Sequence, residues 1–188
     1  MTVLGHYRGL VRNDLAWLST AGRPDADAVF WRANLPRTGL DDVAAAASGV
    51  MLSTPLYLEE SDLVTNLSFI SAATAAASPT NYWFALYSPA GALLAQTADQ
   101  TSTAWAADTV KTLPLQTAQR ITRSGLYYAA FAMAGSTIPT LVGTGTAKPV
   151  LTGESNLAQT SGSGLTTTAP ATIASPAFKR QAPLVLAS

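Results

Sequence analysis

From Leu63 to Ala98 the chain carries no charged residue. A stretch this long and this free of charge belongs either in a membrane or in buried sheet structure, and its punctuation decides which. Asn66, Pro79, Asn81, Pro89 and Gly91 interrupt it, and no apolar run of spanning length survives between them; a membrane helix needs about 20 consecutive apolar residues. Inside the stretch the large apolar residues recur with a period of two. Leu67 and Phe69 share one face of their segment. Tyr82, Phe84 and Leu86 share one face of theirs, with Trp83, Ala85 and Tyr87 on the other. Side chains alternate across a strand in this way, so the stretch reads as strands and turns. Ser88-Pro89-Ala90-Gly91 marks one turn, with Ser at i, Pro at i+1 and Gly at i+3 of type I geometry.

The chain has 188 residues, enough for one β domain and an attached segment. Its 11 basic and 11 acidic residues cancel, so it lacks the basic excess of a nucleic-acid binder. Charged residues make up 12% of the chain, about half the usual share. Ser, Thr, Gln and Ala, or another protein, must cover the rest of the surface, which points either to an ordinary Thr-rich β surface or to assembly. With no cysteine, disulfides, thiolate metal sites and cysteine nucleophiles are excluded. The N-terminal MTVLGHYRGLVRNDLAWL has no apolar core of secretory length. The expectation is synthesis in the cytoplasm with no membrane insertion.

Charge divides the chain unevenly. Eight of the 11 acids fall before Leu63, and Arg8, Arg12, Arg23, Arg32 and Arg37 fall within the first 37 residues. The shift lies near residue 48, so residues 1–47 read as an extended N-terminal anchoring arm and 48–188 as the β domain. Within the arm, Trp17, Trp31, Arg8 and Arg12 are the expected partner-binding residues, because Trp and Arg carry much of the energy of interfaces. Gly39-Leu-Asp-Asp-Val-Ala-Ala-Ala-Ala-Ser-Gly49 fits a short helix, with Asp41 and Asp42 near its N-terminus and Gly49 beyond its end. In the second unit, strands are expected at 50–58, 63–71, 81–88, 91–97, 109–116, 118–123, 125–133, 138–143 and 182–187. Residues 144–181, rich in Gly, Thr, Ser and Pro, form an excursion about three times the usual upper length of a structureless loop. Short strands with turns at about ten-residue spacing indicate an all-β, antiparallel, jelly-roll-like sandwich.

The chemistry-bearing residues do not converge. His6 is the only histidine; any Ser-His-Asp triad would have to use it, and a multi-histidine metal site is excluded. Gly162-Ser163-Gly164 lacks a strand–elbow–helix context, and Gly143-Thr-Gly-Thr-Ala-Lys148 lacks the spacing of a phosphate loop. Glu59-Glu60-Ser-Asp62 offers carboxylates for calcium or for glycoside hydrolysis, but neighbours on a strand face opposite ways. It reads as a solvated loop between strands. Tyr82, Trp83, Tyr87, Trp105, Tyr127 and Tyr128 are aromatics that could stack sugar rings or pack a core, and packing is the commoner use. No catalytic residue, cofactor or metal is expected.

TNYWFALYSPAGALLAQTADQTSTAWAADTVKTLPL over Thr80–Leu115 and SGLYYAAFAMAGSTIPTLVG over Ser124–Gly143 resemble a β-sandwich domain that recurs in virion proteins of tailed phages, particularly those of actinobacteria. The resemblance extends from about Leu52 to Leu184–Leu186 and leaves the first 47 residues outside. It implies a structural or adhesive module with no cofactor and no catalytic residue. The function expected from it is a surface component of the virion: a minor tail or fibre protein, or a capsid decoration protein, partnered by other capsid or tail proteins. The low charge and the long polar excursion point to a homo-oligomer, a trimer by analogy with phage fibres. The alternative is a carbohydrate-binding adhesion module that meets a host-surface glycan.

Overall fold

The computed structural model describes residues 32–43 and 46–188. Its regular elements are strands, and every ladder between them is antiparallel. One sheet runs in the order β1 (Arg32–Ala33), β13 (Val185–Ala187), β4 (Leu63–Ile70), β7 (Val110–Arg120). A second, larger sheet runs β11 (Ala177–Phe178), β10 (Gln159–Ser161), β3 (Met51–Leu58), β8 (Gly125–Ala134), β5 (Asn81–Tyr87), β6 (Leu93–Gln96). A small third sheet is β12 (Gln181–Pro183), β9 (Leu141–Gly145), β2 (Asp41–Val43). The fold is therefore the expected antiparallel β-sandwich.

The two larger sheets enclose the main core. Tyr82, Phe84 and Leu86 of β5 face into it, as their alternation requires, beside Leu56 and Leu58 of β3, Leu67 and Phe69 of β4, and Phe131 of β8. The Phe84 ring lies 4.8 Å from Phe69, 5.8 Å from Trp105 and 6.2 Å from Phe131, all tilted. Edge-to-face and offset contacts of this kind add to the burial of apolar area. Trp105 comes from a loop, not a strand. It stacks on Tyr82 at 5.8 Å, and its indole N–H donates to Thr109 O at 3.2 Å.

Several expected elements change form. The two strands expected at 109–116 and 118–123 are one strand, β7. Its ladder steps from Asn66↔Pro114 to Val64↔Gln119, so residues 115–118 bulge opposite Thr65. The Thr65 and Asn66 N–H groups instead donate to Ser188 O, at 2.6 and 2.7 Å. The strand expected at 182–187 is broken at Leu184: β12 pairs with β9, while β13 pairs with β4. At the crossing of β9 and β12, a Cβ on Gly143 would overlap the Ala182 carbonyl oxygen and lie 2.9 Å from Pro183 Cα, so only glycine lets the two strands approach.

The helix expected within Gly39–Gly49 is corrected over Asp41–Val43, which is strand β2, paired with β9 through Asp41↔Gly143 and Val43↔Leu141. Burial of Val43 against Leu141, together with an Asp42 carboxylate that accepts the Ala73 N–H at 3.1 Å, outweighs the weak helical preference of a short alanine run. Strand β1 likewise pairs with β13. Arg32–Ala33 and Asp41–Val43 thus belong to the sheets, while the expected partner residues Trp17, Trp31, Arg8 and Arg12, and the lone His6, lie outside the described residues.

The excursion of residues 144–181 is the largest departure from expectation. It carries β10 and β11 and lays its coil across the outer face of the six-stranded sheet. There it closes a second core of Met51, Trp83, Ala85, Tyr87, Tyr128, Ala130, Ala132 and Ala169, flanked by Leu93, Leu165 and Ile173. Alanines at 85, 130 and 132 let the coil come close, and polar atoms of the sheet satisfy its backbone. Trp83 Nε1 donates to Thr166 O at 2.7 Å, the Tyr87 hydroxyl donates to Pro170 O at 2.9 Å, and Gln96 Oε1 accepts the Ala169 N–H at 2.7 Å. Ala171 O accepts from Leu93 N at 2.9 Å, and Ile173 N donates to Gly91 O at 2.8 Å. The molecule has three layers.

Candidate functional site

The outer layer stops short of one end of the sheet. On β3 and β8 the outward residues Tyr57 and Leu126 are directly opposed in the ladder and stand 49% and 50% exposed. One register step inward, Tyr128 lies between Pro55 and Tyr87 and is buried. The turns that bound this end are tightly fixed. Ser88 O accepts the Gly91 N–H at 2.9 Å and Ser88 Oγ accepts the Ala92 N–H at 3.1 Å, with Gly91 at φ +77, a conformation that favours glycine. The expected type I turn is present and aims Pro89 over Gly125, where a Cβ would meet Pro89 Cγ at 3.9 Å. Across the β7–β8 turn, Ser124 Oγ accepts the Glu60 N–H at 2.9 Å.

Between these turns and the coil of residues 154–159 lies a groove with two chambers. The inner chamber is about 270 Å³, walled by Pro89, Gly91, Tyr128, Glu154, Asn156 and Gln159. The outer one, about 450 Å³, shares Pro89, Tyr128 and Ser155 with it and reaches Arg123 and Leu126. Gln159 is 5% exposed, and its side-chain carbonyl accepts from Asn156 Nδ2 at 3.3 Å. The Tyr128 hydroxyl has no hydrogen-bond partner among the described residues. Glu154 Oε2 accepts the Val150 and Leu151 N–H groups at 2.8 and 3.2 Å, and these bonds hold its carboxyl below the ordinary carboxylate range.

A second concavity of about 580 Å³ lies at the free end of β6, beside Leu94, Gln96, Asp99, Thr117 and Thr168. Burial, and then the charge of Asp99, push the Tyr82 phenol up. Neither the Tyr82 hydroxyl nor Asp99 Oδ1 has a hydrogen-bond partner among the described residues, although both atoms are buried.

The structure places the aromatics named from the sequence. Tyr82, Trp83, Tyr87, Trp105, Tyr127 and Tyr128 all sit within the two cores, and none offers an open ring face for sugar stacking. The acidic run Glu59–Asp62 is a turn, as expected, but it is fastened. The Arg32 guanidinium donates through Nε and Nη2 to the two Asp62 oxygens, each at 3.0 Å, and through Nη2 to Glu59 Oε2 at 3.0 Å. The calcium reading fails on this point, because an arginine from β1 fills the cluster. Among the described residues no group of three His, Cys, Asp or Glu side chains is placed to hold a metal ion. The groove itself carries little sequence signal. Tyr57 is legible from the alternation Leu56-Tyr57-Leu58, but nothing local marks Asn156 or Gln159.

No protein-family model matches this chain, and no curated protein does either.

Proposed function

We propose that this chain is a non-catalytic structural module of a tailed-phage virion, displayed on the particle surface as a minor tail or fibre component or as a capsid decoration protein. One observation carries the reading. The two runs that resemble a phage virion domain, Thr80–Leu115 and Ser124–Gly143, supply β5, β6, the first half of β7, β8 and the start of β9, and from them come Phe84, Trp105 and Phe131 of the inner core and Trp83, Tyr87 and Tyr128 of the outer one. The likeness therefore rests on the residues that build the architecture. The anchoring arm expected over residues 1–47 is narrowed to 1–31, because Arg32–Ala33 and Asp41–Val43 pair into sheets, and it acts as the attachment segment, with Trp17, Trp31, Arg8 and Arg12 meeting capsid or tail proteins. Arg32, pinned to Asp62, ties that segment to the sandwich. Low charge supports a homo-oligomer, taken as a trimer by analogy with phage fibres.

The test is localisation on intact particles. Gold-labelled antibody against the protein should decorate the capsid or the tail of purified virions. Deleting residues 2–30 should leave a folded, β-rich protein that no longer enters the particle. Purified virions that lack the protein, or a truncated protein that is incorporated normally, would overturn the proposal.

A further inference from the structure

We infer that the two-chambered groove at Tyr128 binds a short uncharged oligosaccharide. The inference does not rest on the virion reading. Two polar side chains aimed into the inner chamber are nine-tenths buried: Gln159 at 5% exposure and Tyr128 at 8%. The Tyr128 hydroxyl has no protein partner among the described residues and opens to the groove, where it can both donate and accept. A ligand that both donates and accepts would satisfy it.

The chemistry of the walls selects that ligand. The Asn156 and Gln159 amides together present donors and acceptors in a fixed arrangement, since each is already tied to the other. Vicinal sugar hydroxyls need both kinds of partner. Pro89, Pro176 and Ile173 give the apolar surface against which the C–H face of a pyranose packs. About 270 Å³ lies just below the usual range for drug-sized ligands and suits one ring. The outer chamber continues to Leu126, whose ladder partner Tyr57 is the half-exposed aromatic at this end of the sheet. A second ring would stack there.

Charge sets the class further. Glu154 Oε2 is held by two backbone N–H groups that favour its ionised form, which leaves Oε1 to accept from a hydroxyl and repels an anionic sugar.

The experiment uses the full chain, isotope-labelled, titrated with maltose, cellobiose, lactose, trehalose and diacetylchitobiose, with digalacturonate as the anionic control. At least one neutral disaccharide should give saturable shifts at the amides of Gly91, Leu126, Tyr128 and Gln159. Asn156→Ala should weaken binding about tenfold, the loss of one hydrogen-bonding group, and Tyr57→Ala should weaken it for disaccharides while sparing the corresponding monosaccharide. Neither residue belongs to a core, so both variants should keep the wild-type spectrum elsewhere. No saturable shift with any neutral sugar, tighter binding of digalacturonate, or affinity unchanged in both variants would overturn the inference.

Discussion

The two faces of β5 are buried by different means. Its inner face, Tyr82, Phe84 and Leu86, meets another sheet. Its outer face, Trp83, Ala85 and Tyr87, meets a coil that returns from more than seventy residues further along the chain. Both faces are fully buried. On the inner side, apolar rings interlock and need few polar ties. On the outer side each large ring also donates a hydrogen bond to the coil, from Trp83 to Thr166 O and from Tyr87 to Pro170 O. A coil has no ladder to satisfy its own carbonyls, so it must be held by side chains. The difference teaches that a coil laid on a sheet is held by polar atoms of the rings beneath it, whereas the sheet–sheet layer is held chiefly by ring contact, as among Phe69, Phe84 and Phe131.

The largest effect that would sharpen this contrast lies on the inner side. Trp105→Ala removes the ring that contacts Tyr82, Phe84 and Phe131 and should cost about 3–5 kcal/mol in chemical denaturation. A loss below about 1 kcal/mol would show that the loop tryptophan is not part of the core.

Tyr87→Phe probes the outer layer with less disturbance. It deletes the hydroxyl bond to Pro170 O and should cost about 1 kcal/mol. It should also change the alkaline limb. Burial raises the Tyr87 phenol above its ordinary value of 10.0, so the folded state keeps a proton that the unfolded chain releases above that pH. Stability is thus full below about pH 10 and falls as pH rises further. Tyr87→Phe should flatten that fall. An unchanged slope would mean that the hydroxyl is open to water and the layer is loose.

Gln96→Ala is the mildest change. Gln96 accepts the Ala169 N–H and donates to Thr167 O at 3.3 Å. Its loss should cost about 0.5–1.5 kcal/mol and should speed hydrogen exchange at Ala169 while leaving Phe84 N–H, bonded to Thr97 Oγ1 at 3.0 Å, protected. Equal protection in mutant and wild type would place the tie elsewhere.

The inner layer was legible because period-two alternation and the Ser88–Gly91 turn are local signals. Phe84 faces inward for the same reason that Trp83 faces outward. What alternation cannot tell is what lies beyond the outer face. The partner of Trp83 is Thr166, in a segment with no periodicity, so the sequence reads as a free polar excursion where the chain forms a third layer. Strand β2 was hidden for a related reason: its pairing with β9 is long-range and overrides the alanines that follow it. In the groove, Tyr57 follows from alternation. Gln159 does not, because its role comes from β10 docking on β3 through Gln159↔Ser53, a contact no local pattern encodes.

Chemical denaturation of the Phe84→Ala and Trp83→Ala proteins tests the three-layer account most directly. If the coil buries the outer face within one chain, both variants lose about 3–5 kcal/mol relative to wild type. A Trp83→Ala protein within about 1 kcal/mol of wild type, beside a Phe84→Ala protein that loses the full amount, would contradict it and leave the outer face open for another molecule to cover.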